Sequence, residues 1–178
     1  MDLQRSVRAV AAASGDESGG IDWDAVATAA GSATDAGALS LPDAERASYA
    51  ADVRDARDRL RSVGGLDFDV PETVEVQNRH HWIDANVATF RRVMRPVESE
   101  VSVALPAAVS VVNTGSMAAV LSFLASRVLG QYDPRLFADS EAHGLYFVHP
   151  NIVDTAAELG VDYPRFRRWI AFHEVAHA

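Results

Sequence analysis

The chemistry in this chain is written most plainly in its last six residues, His173-Glu174-Val175-Ala176-His177-Ala178, which spell H-E-x-x-H. Four residues of α-helix rise about 6 Å and turn slightly more than once, so imidazoles at i and i+4 lie on one face and can reach one ion. Neutral imidazole nitrogens suit zinc at roughly 2.0–2.1 Å, and a carboxylate between them is placed to take a proton from a metal-bound water rather than to bind the metal. His173 and His177 are therefore candidate zinc ligands and Glu174 the candidate general base. A catalytic zinc normally has three protein ligands and one open position, so this helix supplies two and the third comes from elsewhere.

The preceding residues are those a helix needs in order to present that pair. Asp162 or Tyr163 stands ahead of the helix, and Pro164 falls in the first turn, where a missing N–H does no harm. Phe166, Trp169, Ile170, His173 and His177 follow at helical spacing, which places both histidines on the face turned toward a core.

Several separated segments resemble the type 2 zincin-like metallopeptidases, a prokaryotic family whose members are labelled zinc-dependent metalloproteases or proteins associated with biosynthesis of the deazaflavin coenzyme F-420. They are Ile21-Asp22-Trp23, Asn78 through Asn86 (NRHHWIDAN), Arg127 through Asp133 (RVLGQYD), Leu145 through Ile152 (LYFVHPNI), and Phe166-Arg167-Arg168-Trp169 through His177. The resemblance implies a mainly α fold, α+β with a small sheet, in which His173 and His177 hold zinc and Glu174 is the base. It also implies that the third ligand lies beyond residue 178, so that the chain is the amino-terminal part of a zincin-like domain and incomplete. Peptide or small amide substrates and metal-assisted hydrolysis follow from the same resemblance. The coenzyme association comes from the family label alone, and no residue argues for binding it.

Composition limits the remaining possibilities. A length of 178 residues with 48% apolar content suits one globular domain. A formal charge of −9 argues against a nucleic-acid surface, which needs a basic stripe to neutralise phosphates. All 16 basic residues are Arg, a bias expected of a salt-adapted or GC-rich genome. Without Cys, any metal is held by imidazole and carboxylate rather than thiolate. The apolar run Ala9 to Ala13 is too short for a secretory signal, which leaves a cytoplasmic location as the expectation. Val101 to Ser126 is uncharged, but Pro106, Asn113, Thr114 and Gly115 interrupt it, favouring two buried elements over a membrane span.

Along the chain, residues 1–20 read as a flexible tail and 21–178 as the domain. Helices are expected over Asp22 to Thr34, Pro42 to Val63 with Gly64-Gly65 as the stop, Arg79 to Met94 before Pro96, Ser116 to Leu129 with Gly130 as the stop, and Thr155 to Leu159 before Gly160. Leu145 to His149 is the clearest strand, closed by Pro150-Asn151.

Other candidates are better served by ordinary roles. His80-His81 reads as a pair of exposed histidines at a helix start, and Asp154 and Glu158 as solvated acids. His143 and His149 flank the strand upstream of the metal helix; either could approach the metal or line a cleft, although a loop histidine is the simpler reading. Arg165, Arg167 and Arg168 sit in the first half of their helix, where the macrodipole disfavours positive charge, so they call for tertiary partners or an anion. With one residue after His177, the last helical turn is expected to fray, and the isolated chain to be catalytically silent. The rival reading is a non-enzymatic helical interaction module whose H-E-x-x-H meets no third ligand.

Overall fold

The computed structural model describes residues 20–38, 40–71, 74–100, 107–133 and 144–178. Residues 1–19 of the proposed tail 1–20, and His143, lie outside these residues. In chain order the elements are α1 (Trp23–Ala33), α2 (Asp43–Gly64), β1 (Val74–Gln77), α3 (Arg79–Glu100), α4 (Ala107–Ala125), β2 (Gly130–Asp133), β3 (Gly144–Val148), α5 (His149–Leu159) and α6 (Tyr163–Val175). This is the mainly helical architecture with a small sheet that the sequence implied. The chain divides into two compact units, one from residues up to Ala36 with Arg79–Arg127, the other from Gly37–Asn78 with Val128–Ala178.

The first unit packs α1, α3 and α4. α1 starts where the Asp22 side chain accepts the Ala25 N–H at 2.9 Å, filling one of the four donors that a helix start leaves open. It buries Trp23, Ala25, Val26, Ala29 and Ala30 and packs on α3 and α4, whose own buried residues include Trp82, Ile83 and Val87 in α3 and Ala118, Leu121 and Ala125 in α4. Polar cross-links fix the register: Asp22 N–H donates to Thr114 Oγ1 at 3.0 Å, and Thr34 Oγ1 lies 2.9 Å from Ser122 Oγ. These bonds satisfy hydroxyls that would be costly to bury alone.

Here three sequence expectations fail. α3 does not stop at Met94 but continues through Pro96. α4 is a single helix that winds from Ala107 through Asn113, Thr114 and Gly115, because Thr114 is buried and bonded to Asp22 instead of breaking the helix. It ends at Ala125, so Gly130 is not its stop. No helix among the described residues is long and apolar enough to cross a membrane.

The second unit holds the sheet, with strand order β1-β3-β2. β3 is central, parallel to β1 (Val76 beside Phe147) and antiparallel to β2 (Gly130 beside Phe147). Leu145 and Phe147 share one face by strand alternation and enter a core with Tyr49, Val53 and Ala56 of α2, Ile152 of α5, and Ile170, Ala171 and Val175 of α6. Fully burying a side chain of this size contributes about 1.5–3 kcal/mol.

β3 runs directly into α5, which begins at His149 rather than Thr155. Pro150 occupies the first turn of that helix, so it opens the helix where the sequence reading had it close the strand. Gly65 (φ 66°) and Gly160 (φ 63°) end α2 and α5 in the left-handed conformation expected of those glycines.

Candidate metal centre

α6 starts as its sequence requires, with Asp162 Oδ1 accepting the Arg165 N–H at 3.1 Å and Pro164 in the first turn. The face it buries is Arg167, Ile170, Ala171, Glu174 and Val175. Trp169, His173 and His177 are exposed, which corrects the expectation that the histidines point into a core. Ile170 and Glu174 carry the burial, and the histidines sit on the adjoining open face.

On that face the rings form a series at one-turn steps. Phe166 and Trp169 are stacked at 6.0 Å between centroids, Trp169 and His173 at 5.9 Å, and His177 meets His173 edge-on at 4.9 Å. His173 Nε2 and His177 Nε2 are 3.4 Å apart. Two nitrogens each roughly 2.0–2.1 Å from an ion, at the tetrahedral angle, stand about 3.3–3.4 Å apart. The separation suits two ligands of one zinc and is long for a hydrogen bond between the rings. The donor set therefore fits the ion that the motif implies. Among the described residues, no group of three or more His, Cys, Asp or Glu could hold a metal, so no third ligand is brought to the pair.

The helix proper ends at Val175, and beyond it the N–H groups of His177 and Ala178 bond to the carbonyls of Glu174 and Val175 at 3.1 Å, the tighter i→i+3 pattern common at helix ends.

Glu174 lies on the inner side of the same turn, buried against Gly130, the first residue of β2. Burial pushes its carboxyl above the ordinary carboxylate range, and the neighbouring His177 pulls it back down. A carboxylate whose proton affinity is raised by desolvation is a better base than a solvated one.

His149 lies elsewhere. Its Nδ1 is 3.0 Å from Tyr49 Oη and 3.4 Å from Tyr163 Oη. Tyr163 in turn donates to Glu45 Oε1 at 2.6 Å. Arg167 completes this cluster, donating to Asp52 at 2.7 Å and Glu45 at 3.1 Å from a nearly buried guanidinium. Arg168 pairs with Asp55. Arg167 and Arg168 thus have carboxylate partners on α2, as their unfavourable position on the helix dipole suggested, whereas the Arg165 side chain is exposed. That mismatch was the one sequence signal for the cluster; nothing marked Tyr49, Glu45 or Asp52.

The remaining candidates keep ordinary roles. His80 Nε2 lies 2.8 Å from the Thr34 carbonyl oxygen, His81 is exposed, and Asp154 and Glu158 face solvent.

The chain is similar to a solved protein from Chloroflexus aurantiacus, called "a putative hydrolase with a novel fold", with 26% identity and a TM-score of 0.66. All of this chain is covered in that match but only 52% of the other protein, so the chain spans about half the length of its structural relative. No curated protein matches. The family model described as zincin-like metallopeptidase matches residues 21–178, from the start of α1 through the whole H-E-x-x-H motif. The chain belongs to the zincin-like metallopeptidase family.

Proposed function

We propose that the full-length protein is a zinc-dependent metallopeptidase that hydrolyses peptide or amide bonds. His173 and His177 hold the ion, Glu174 is the general base, and the third ligand lies on chain that follows Ala178. The observation that carries this reading is the convergence of the two imidazole nitrogens at 3.4 Å, with a buried carboxylate on the same helical turn. Family membership and the hydrolase name given to the longer relative support it.

A zinc ion bound there would supply Lewis acidity, bringing the pKa of a water to about 7 and polarising a carbonyl. Glu174 accepts the proton at its carboxylate and returns it to the departing nitrogen. Among the described residues β2 is at one edge of the sheet, packed beside α6, where an extended peptide could add as a further strand. With two ligands alone, the 178-residue chain is expected to bind zinc weakly.

The test is Glu174→Gln in the full-length protein. Zinc content should stay near one ion per chain while turnover of a peptide mixture falls by at least about a hundredfold. Unchanged turnover removes Glu174 from the mechanism. Absence of zinc from the purified wild-type protein favours the interaction module instead.

A further inference from the structure

Gly130 is a glycine without a backbone reason to be one. The described glycines with positive φ are Gly37, Gly65 and Gly160, whereas Gly130 has a backbone conformation open to any L-residue and pairs with Phe147 in a regular antiparallel register. A side chain in a strand ordinarily adds packing and reduces the entropy lost on folding, so glycine at the first residue of β2 has a cost. What it gains is space. A Cβ built at residue 130 would lie 2.6 Å from Glu174 Cγ and 2.8 Å from both Cδ and Oε1, closer than real atoms approach.

We propose that Gly130 is a positioning residue for Glu174: the bare backbone at the head of β2 is the seat on which the carboxylate rests, and any side chain there displaces it from the imidazole pair. This role rests on the reading of Glu174 as the general base.

The geometry explains why the displacement cannot be shared out harmlessly. Glu174 is buried on α6, whose neighbours Ile170, Ala171 and Val175 are all packed in the core, so the helix is not free to retreat as a body. The strand is held by its pairing with β3 on the other side. The side chain is the one part able to rotate, and rotation carries Oε1 away. A shift of about 1 Å in a reacting group can cost a hundredfold in rate. The metal ligands sit on the adjoining open face of the turn, and the three atoms nearest to a Cβ at residue 130 all belong to Glu174. The expected signature is therefore loss of the base with retention of the ion.

The experiment is a double-mutant cycle on the full-length protein, with acetohydroxamate as probe, because its hydroxyl proton needs an acceptor beside the ion. Gly130→Ala should leave zinc content unchanged and weaken acetohydroxamate binding about tenfold or more, as Glu174→Gln does, and the double variant should be no weaker than either alone. A stability cycle checks the steric cause: Gly130→Ala should lower the melting temperature of the wild type, but not of Glu174→Ala, in which the clashing atoms are gone.

Undiminished acetohydroxamate affinity in Gly130→Ala, or an equal loss of melting temperature in both backgrounds, overturns the role. A wild-type protein that takes up neither zinc nor acetohydroxamate overturns the metallopeptidase reading, and this role with it.

Discussion

His149 shows what its surroundings can do to a single side chain. Burial lowers its pKa below the ordinary value of 6.5, with Glu45 opposing that shift and Arg167 adding to it, so the fold holds the ring neutral with Nδ1 toward Tyr49 and Tyr163. Because the unfolded ring takes up a proton at higher pH than the folded one, this contribution to stability is complete above about pH 6.5 and is lost as the pH falls below it. Urea unfolding midpoints should decline between pH 7.5 and 5.5, and His149→Asn should flatten the part of that decline that belongs to this ring. Equal slopes in the two proteins would show that the ring is not the group responsible. At this scale the sequence was most informative about the placement of His173, Glu174 and His177, which share one turn because their spacing matches the helical repeat. It was silent on why Gly130 is glycine, since that answer depends on a residue 44 positions away in the chain (130 to 174).

At the scale of elements, α6, which carries H-E-x-x-H, is held by its neighbours. Arg167 lies two turns before His173 and donates to two carboxylates of α2, with side-chain exposures of 10% for the arginine and 16% and 29% for Asp52 and Glu45. Partners this buried are expensive to leave unpaired. Arg167→Ala should cost about 3 kcal/mol of stability in urea unfolding, far more than the 0–1 kcal/mol of an exposed pair. Arg59→Ala, which loses an exposed i,i+4 pair with Asp55, is the comparison and should cost a few tenths. Element ends were readable where a residue type has one local job: Asp162 ahead of its helix, Gly65 and Gly160 as left-handed stops. β1 and β2 went unread because each has four residues and is specified by pairing with β3 rather than by a pattern of its own. Pro150 was misread for a related reason. The same residue can close a strand or open a helix, and the tertiary structure decides which.

Across the whole molecule, each compact unit is assembled from two stretches that are not adjacent in sequence, so the chain passes between units three times, after Ala36, Asn78 and Arg127. α6 and its clamp illustrate the dependence, since Arg167 and Asp52 are 115 residues apart. A fragment Val128–Ala178 keeps H-E-x-x-H yet lacks α2 and β1. It should show no cooperative unfolding by circular dichroism, and cooperative melting of that fragment would mean the second unit does not need its earlier stretch. The same interleaving bears on synthesis. α2 leaves the ribosome with its partners still unmade, and at about 5–20 residues per second it waits several seconds for the segment from Val128 onward. It is suited to waiting: among its 22 residues only Tyr49, Val53 and Ala56 are buried in the finished fold, so the nascent helix exposes little that a chaperone or a neighbouring chain would seize.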